Sequence, residues 1–232
     1  MKLLSIDTTA EICSIALLSG EQWFCFHQER PREHAKILLP EIQKLLNQAQ
    51  IMATDLDYIV FGRGPGSFTG IRIAAGVAHG LALSASCSLL PISTLDSLAY
   101  SAIQSGATDI WSAIDARMSE IYFAEYRVDD EGLPILEGQE RVLAPADIQS
   151  IPSTATVFIG SGWTTDYDMR PEIETAVKRQ AVTQRLPDAK HSALLAIRSL
   201  QAGRINSVSP EQALPVYLRD KVTWDNKPKV GS

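Results

Sequence analysis

The chain has 232 residues, 45% of them apolar, a formal net charge of −6 and a sequence pI near 5.2. That size and composition bury a substantial core in one domain or two small lobes, while the acidic balance excludes a protein that grips a nucleic-acid backbone unaided, because that affinity is mostly phosphate neutralisation by Lys and Arg. The apolar stretches are broken by charges before the roughly 20 residues a spanning helix needs, and Asp7 interrupts the N-terminus before a signal-length segment forms, so the expectation is a cytoplasmic protein with no membrane partner.

The first hundred residues read as one unit. "LLSIDTT", "CSIALLS" and "EQWFCFHQE", with a turn signal at Gly20, predict three antiparallel strands. "PREHAKILLPEIQKLLNQAQ" then changes period: Leu38, Ile42, Leu45 and Ala49 share one face of an amphipathic helix. Pro40 inside it removes the hydrogen bond to the Lys36 carbonyl, so a kink or a late start is expected. "LDYIVFG" predicts a buried strand, followed by a helix, a short strand "SLLPIS" and a helix "TLDSLAYSAIQ". This βββαβαβα order implies a mixed sheet covered by helices.

From Asp109 the pattern begins again more weakly. "DIWSAIDAR" and "EIYFAEYRV" predict a hairpin, "LPILEGQERVLAP" a further strand, "ATVFIGSGW" a buried strand, and "SALLAIRSLQAG" a helix capped at Gly203. The expected division is a first lobe over residues 1–106, on which the last helix and its exit (about 191–215) pack back, a smaller lobe over 107–190 and a tail over 216–232. The tail sets Arg219, Lys221, Lys227 and Lys229 against Asp220 and Asp225 and reads as a solvated disordered end.

Between strand and helix lies "FGRGPGSFTGIRIAAG", residues 61–76. A strand, a glycine loop and a helix N-terminus together present unpaired N–H groups suited to phosphate. The loop lacks the lysine and hydroxyl ending of GxxxxGK[ST] and the spacing of GxGxxG, Pro65 donates no hydrogen bond, and Ser67 or Thr69 can cap the helix. An anion site and a structural turn with an N-cap both fit.

The helix that follows carries two rows of small residues, Gly70, Ala74, Ala78 and Ala82 on one side and Gly76, Gly80 and Ser84 beside them. Each glycine weakens a helix by about 1 kcal/mol relative to Ala, so close packing must compensate. The chain's own sheet accounts for one row; a helix of another chain is the candidate cover for the other.

Other chemistry is thinly represented. Cys13, Cys25 and Cys87 form no CxxC pair and read as reduced thiols in apolar surroundings. His27, His34, His79 and His191 include no chelating pair, so no metal site is expected. No GxSxG elbow occurs. Asp7 and Asp115 are acids that strand ends could bring together, and Asp115 with Arg117 in "IDARMSEIY" equally suits a turn-stabilising pair.

"IDTTAEICSIAL", "PREHAKILLP", "GRGPGSFTGIRI", "IDARMSEIYFAEY" and "PVYLRD", in this order, give a chain that resembles the bacterial TsaB (YeaZ) family from Met1 to about Lys221. The resemblance implies an α/β actin-like ATPase (ASKHA) fold, two lobes each with a mixed sheet flanked by helices, the second abbreviated. It implies a scaffold subunit without catalytic residues of its own, acting with the paralogue TsaD and the ATPase TsaE. Their joint product is threonylcarbamoyl on N6 of the adenosine beside the anticodon, in tRNAs reading codons that begin with A.

By the same resemblance, Thr94 and Leu98 stand where the catalytic paralogue has metal-binding histidines. The expected partner interface, shared by a homodimer and the TsaD pair, uses Leu38, Ile42, Leu45, Gly70, Ala74, Ala78 and Ala82. A remnant nucleotide site would comprise Asp7, Thr8, Thr9, Gly64, Gly66 and Ser67, with ATP or ADP bound at the level of the complex and tRNA reached only through it. The rival readings are an actin-like ATPase with "FIGSGW" as second phosphate loop, a peptidase acting on the paralogue, and a homodimeric binding module unrelated to tRNA.

Overall fold

Strand alternation builds the first sheet. In the computed structural model, which describes residues 1–180, 182 and 186–219, β1 (Lys2–Asp7), β2 (Ile12–Ser19) and β3 (Gln22–Glu29) form an antiparallel meander with Leu4 opposite Leu17 and Ile15 opposite Phe26. Next come α1 (His34–Gln48), β4 (Tyr58–Gly64), α2 (Phe68–Ala85) and β5 (Ser88–Ser93), and the two strands add in parallel beside β1 to give the order β3-β2-β1-β4-β5. Successive residues of a strand face opposite sides. Leu4, Ile6, Ile59, Phe61 and Leu89 therefore meet α1 and α2, whereas Leu3, Val60, Leu90 and Ile92 meet the last helix on the other side.

α1 starts at His34 and continues through the exposed Pro40 to Gln48, so the helix neither starts late nor stops there. Ser67 caps α2, its Oγ accepting from Gly70 N at 3.3 Å.

The second sheet repeats the connection pattern in shorter form. After α3 (Thr94–Ile103) come β6 (Asp109–Arg117), β7 (Glu120–Val128), β8 (Pro134–Leu143) and β9 (Thr156–Ile159), in the order β8-β7-β6-β9 with β6 and β9 parallel. This matches β3-β2-β1-β4 of the first sheet and, among the described residues, has no fifth strand, the abbreviation expected of the actin-like fold. α4 (Pro171–Arg179) has no counterpart in the sequence reading; it buries only Ile173, against Trp111, Phe123, Phe158 and Trp163.

α5 (Ala189–Gln201) packs on the first sheet. It ends in a Schellman motif: Gly203 has φ +70°, its N–H bonds Leu200 O at 3.1 Å, and Arg204 N–H bonds Ser199 O at 2.9 Å. α3 lies between the two sheets. Leu95, Leu98, Ala99 and Ala102 pack on Ile110, Ile114 and Ile159, Tyr100 joins the core beneath α5, and Ser97 Oγ meets Ser192 Oγ at 2.7 Å.

After α5 the chain runs back along the first lobe, and residues 216–219, the described part of the expected tail, make contacts there. Val208 pairs with Leu89 through two 2.9 Å backbone hydrogen bonds, and Val216 N–H donates to Arg63 O at 2.8 Å. Lys221, Lys227, Lys229, Asp220 and Asp225 lie outside the described residues.

Candidate functional site

The glycine loop is closed by its own chain. Ser67 N–H donates to Thr9 O at 2.6 Å and Thr8 Oγ1 donates to Gly70 O at 2.8 Å. A Cβ on Gly70 would overlap Thr8 O, one on Gly66 would overlap Thr9 O, and one on Gly62 would come 2.6 Å from Asp7 Oδ2. Gly66 and Gly70 are therefore required where the loop presses on the Thr8–Thr9 backbone, and Gly62 where β4 passes the Asp7 side chain. With Ser67 N–H spent on Thr9 O and Gly70 N–H on the Ser67 hydroxyl, two donors of the helix N-terminus are already satisfied.

Asp7 is fully buried. Its Oδ1 accepts from Thr9 N at 2.9 Å and Thr9 Oγ1 at 2.7 Å, while Oδ2 has no partner. Burial pushes its carboxyl up to about 6, against the lowering effect of the Thr9 hydrogen bonds.

A cleft of about 900 Å³ opens between the two sheets, walled by Thr9, Gly66 and Ser67 from the first lobe and by Asp115, Ser161 and Thr164 from the second. Of the expected nucleotide residues, Thr9, Gly66 and Ser67 reach this wall, whereas Asp7, Thr8 and Gly64 are not part of it. Asp115 does not meet Asp7. It accepts from Arg117 N–H at 2.8 Å, pairs with the Arg117 guanidinium at 2.9 Å and receives the Tyr167 hydroxyl at 2.8 Å, which is the turn-stabilising arrangement. In "FIGSGW" a Cβ on Gly160 would overlap Ala113 O and one on Gly162 would sit 2.8 Å from Ala113 Cβ, so close packing on β6 accounts for both glycines.

The expected partner interface is corrected by burial. Leu38, Ile42 and Leu45 of α1 and Gly70, Ala74, Ala78 and Ala82 of α2 are all buried; the side chains among them belong to the core beneath the first sheet, and Gly70 is pressed on Thr8, so none is offered to a partner. The reason is that small residues let α2 lie close on β4, which leaves the other row outward. Gly76 and Gly80 are exposed with nothing within 4 Å of a built Cβ, Ser84 is exposed, and Leu83 and Leu39 are 63% and 51% exposed. By length and composition α2 is the one described helix apolar enough to cross a membrane; a third of it is buried, on the sheet, while Phe68 and Leu83 stay exposed.

One Ser, His and Asp cluster occurs outside these sites. Ser14 Oγ and Asp188 Oδ2 both approach Nδ1 of His27, at 3.0 and 4.0 Å, and Ser14 is buried and accepts Ala189 N–H. A nucleophilic relay needs the acid and the hydroxyl on different ring nitrogens, so this is a structural contact.

The comparisons with known proteins cover nearly the whole chain. The family model described as TsaD, tRNA N6-adenosine threonylcarbamoyltransferase, matches residues 28–226. The tRNA threonylcarbamoyladenosine biosynthesis protein TsaB of Escherichia coli is 38% identical over 98% of this chain and 99% of its own length. This chain belongs to the TsaB family. TsaB of Haemophilus influenzae is 34% identical over 98% of both chains. Among solved structures, YeaZ from Pseudomonas aeruginosa aligns with TM-score 0.79 and 36% identity over 93% of this chain and 100% of its own. A second P. aeruginosa structure, of an uncharacterized protein with similarity to peptidase YeaZ, aligns with TM-score 0.81 and 38% identity over 94% and 99% of the two chains.

In this TsaB family member Thr94 is buried and donates to Thr9 Oγ1 at 3.2 Å, while Leu98 lies in the core against the second sheet. Sequence reasoning missed a cluster at the cleft mouth. Arg72 lies 3.6 Å over the Phe68 ring and donates to Tyr217 Oη at 3.1 Å, and Arg219 pairs with Glu120. The sequence signal lay in three of the quoted motifs, with Phe68 and Arg72 in "GRGPGSFTGIRI", Glu120 in "IDARMSEIYFAEY", and Tyr217 and Arg219 in "PVYLRD", where the residues from 216 were read as tail.

Proposed function

We propose that this chain is a scaffold subunit, without catalytic residues of its own, in the biosynthesis of threonylcarbamoyladenosine on tRNA. The observation that carries this reading is the closure of the glycine loop on Thr8 and Thr9, which leaves the phosphate-side acid of the fold, Asp7, sealed from the cleft. The relatives' names supply the pathway, and the match to the TsaD model makes a TsaD-like chain the natural partner by similarity of fold.

The outward row of α2, Gly76, Gly80 and Ser84, with Leu83 and with Leu39 of α1, is the surface this reading assigns to the partner. Small residues there let a second helix approach closely. The same surface would serve a homodimer when the chain is alone. Further parts of the proposal are the ATPase TsaE as a component of the assembly, ATP or ADP held by the complex, tRNA contacted through the complex, and a cytoplasmic site of action.

The test is a Gly76→Arg, Gly80→Arg double variant. Both positions are open and helical, so the monomer should melt at or above the parent temperature, while co-purification with the TsaD paralogue and the modified nucleoside in tRNA are both lost. Normal pairing and normal modification in this variant would overturn the assigned surface; intact pairing with unmodified tRNA would overturn the scaffold reading.

A further inference from the structure

The "PVYLRD" motif is left unexplained by a partner surface on α2, and its first residues occupy a particular place. From the end of α5 the chain crosses the first lobe by main-chain bonds: Val208 to Leu89, then Val216 N–H to Arg63 O at 2.8 Å. The His79 ring, edge-on to Phe61, donates Nε2–H to Ala213 O at 2.7 Å. Gly64 is shaped for this crossing, since its φ is +98° and a Cβ there would lie 2.8 Å from Val216 O.

Beyond Val216 the contacts change in kind. Tyr217 packs on Phe68, ring centroids 5.5 Å apart, and receives the Arg72 Nε hydrogen bond at 3.1 Å. Arg219 then leaves the first lobe, pairs with Glu120 and donates to Arg117 O at 3.4 Å on the β6–β7 turn. Val216, Tyr217, Leu218 and Arg219 all line the cleft. A second ion pair across the cleft mouth joins Arg117 to Glu11, at 2.8 Å and largely exposed on both sides. The lobes are also joined by α3, by the Arg204 ion pairs with Asp129 and Glu131, and by Leu133, which is buried in the core beneath α5.

We propose that residues 206–219 are a strap that sets the opening of the interlobe cleft, anchored by backbone on the first lobe and fastened to the second by the releasable Arg219–Glu120 pair. An arrangement with a main-chain anchor at one end and an ion pair at the other lets the cleft mouth open, about the junction that α3 and the Arg204 contacts form, without unravelling the first sheet. Arg219 is 18% and Glu120 38% exposed, so raised salt weakens this pair in part, and the exposed Arg117–Glu11 pair more; ionic strength therefore acts on the cleft mouth.

Hydrogen exchange on the full chain tests it. Arg219→Ala should speed exchange at the β6–β7 turn, residues 117–119, and in the Ser67–Thr69 loop by roughly tenfold, leaving β4 and β5 protected. The reversed pair, Arg219→Glu with Glu120→Arg, should restore slow exchange. In the parent chain 1 M NaCl should speed exchange in the same two segments, by less than Arg219→Ala does. Equal exchange in parent and Arg219→Ala at both salt levels would overturn the strap, as would failure of the reversed pair to recover while it melts at the parent temperature.

Discussion

Asp7 concentrates the competing forces at this site in one side chain. Its unpartnered Oδ2 and complete burial raise its carboxyl from 3.8 to about 6. A raised folded value means the native state holds the proton longer than the unfolded chain, so this stabilising contribution is full below pH 3.8 and is lost as pH rises through about 6. The shift corresponds to about 3 kcal/mol in all, roughly half of it lost between pH 5 and 7. Urea unfolding at those two pH values should show the loss in the parent chain and a flatter profile in Asp7→Asn; parallel profiles would refute the assignment. The glycines of the same region divide by what surrounds them. Gly70→Ala drives a methyl into the Thr8 carbonyl and should destabilise by about 3 kcal/mol, whereas Gly80→Ala meets open space and should stabilise by about 1 kcal/mol. Thermal melts of the two variants should move in opposite directions.

At the scale of elements, α2 shows what its pattern could and could not convey. Two rows of small residues predicted two close contacts, and one row does bury on the sheet while the other stays open. The row chosen for the partner was the buried one. Ala74→Arg, on a residue with no exposed surface, should therefore fail to give a folded monomer, while Gly76→Arg remains soluble and folded; circular dichroism separates them. α5 closes where Gly203 was expected to close it. Gly203→Ala puts a Cβ on a residue at φ +70° and should cost about 1 kcal/mol, read as a lower urea midpoint. α4 escaped notice because nine residues with a single buried position, Ile173, give too little periodicity to stand out from a polar loop.

For the whole molecule, the decisive element is α3, which packs one side on the second sheet and sends Tyr100 and Ser97 toward α5 on the first. Two lobes sharing a helix should unfold together, so calorimetry is expected to give one transition. Leu98→Ala, a truncation with no exposed surface to absorb it, should cost roughly 2–5 kcal/mol and broaden or split that transition. A split transition in the parent chain would show that α3 does not couple the lobes.

The amino-acid sequence by itself determined the strands and most of the helices, because period and turn chemistry are local, and it determined the family, because five motifs kept their order along the chain. It also carried the glycines of the loop and the missing phosphate lysine. The tertiary structure alone decided which side of α2 faces inward, since small rows on neighbouring faces are nearly equivalent until a sheet lies against one of them. It alone decided that the loop's donors meet Thr9 rather than an anion, and that residues 216–219 line the cleft, because both depend on residues far apart in the chain being brought together.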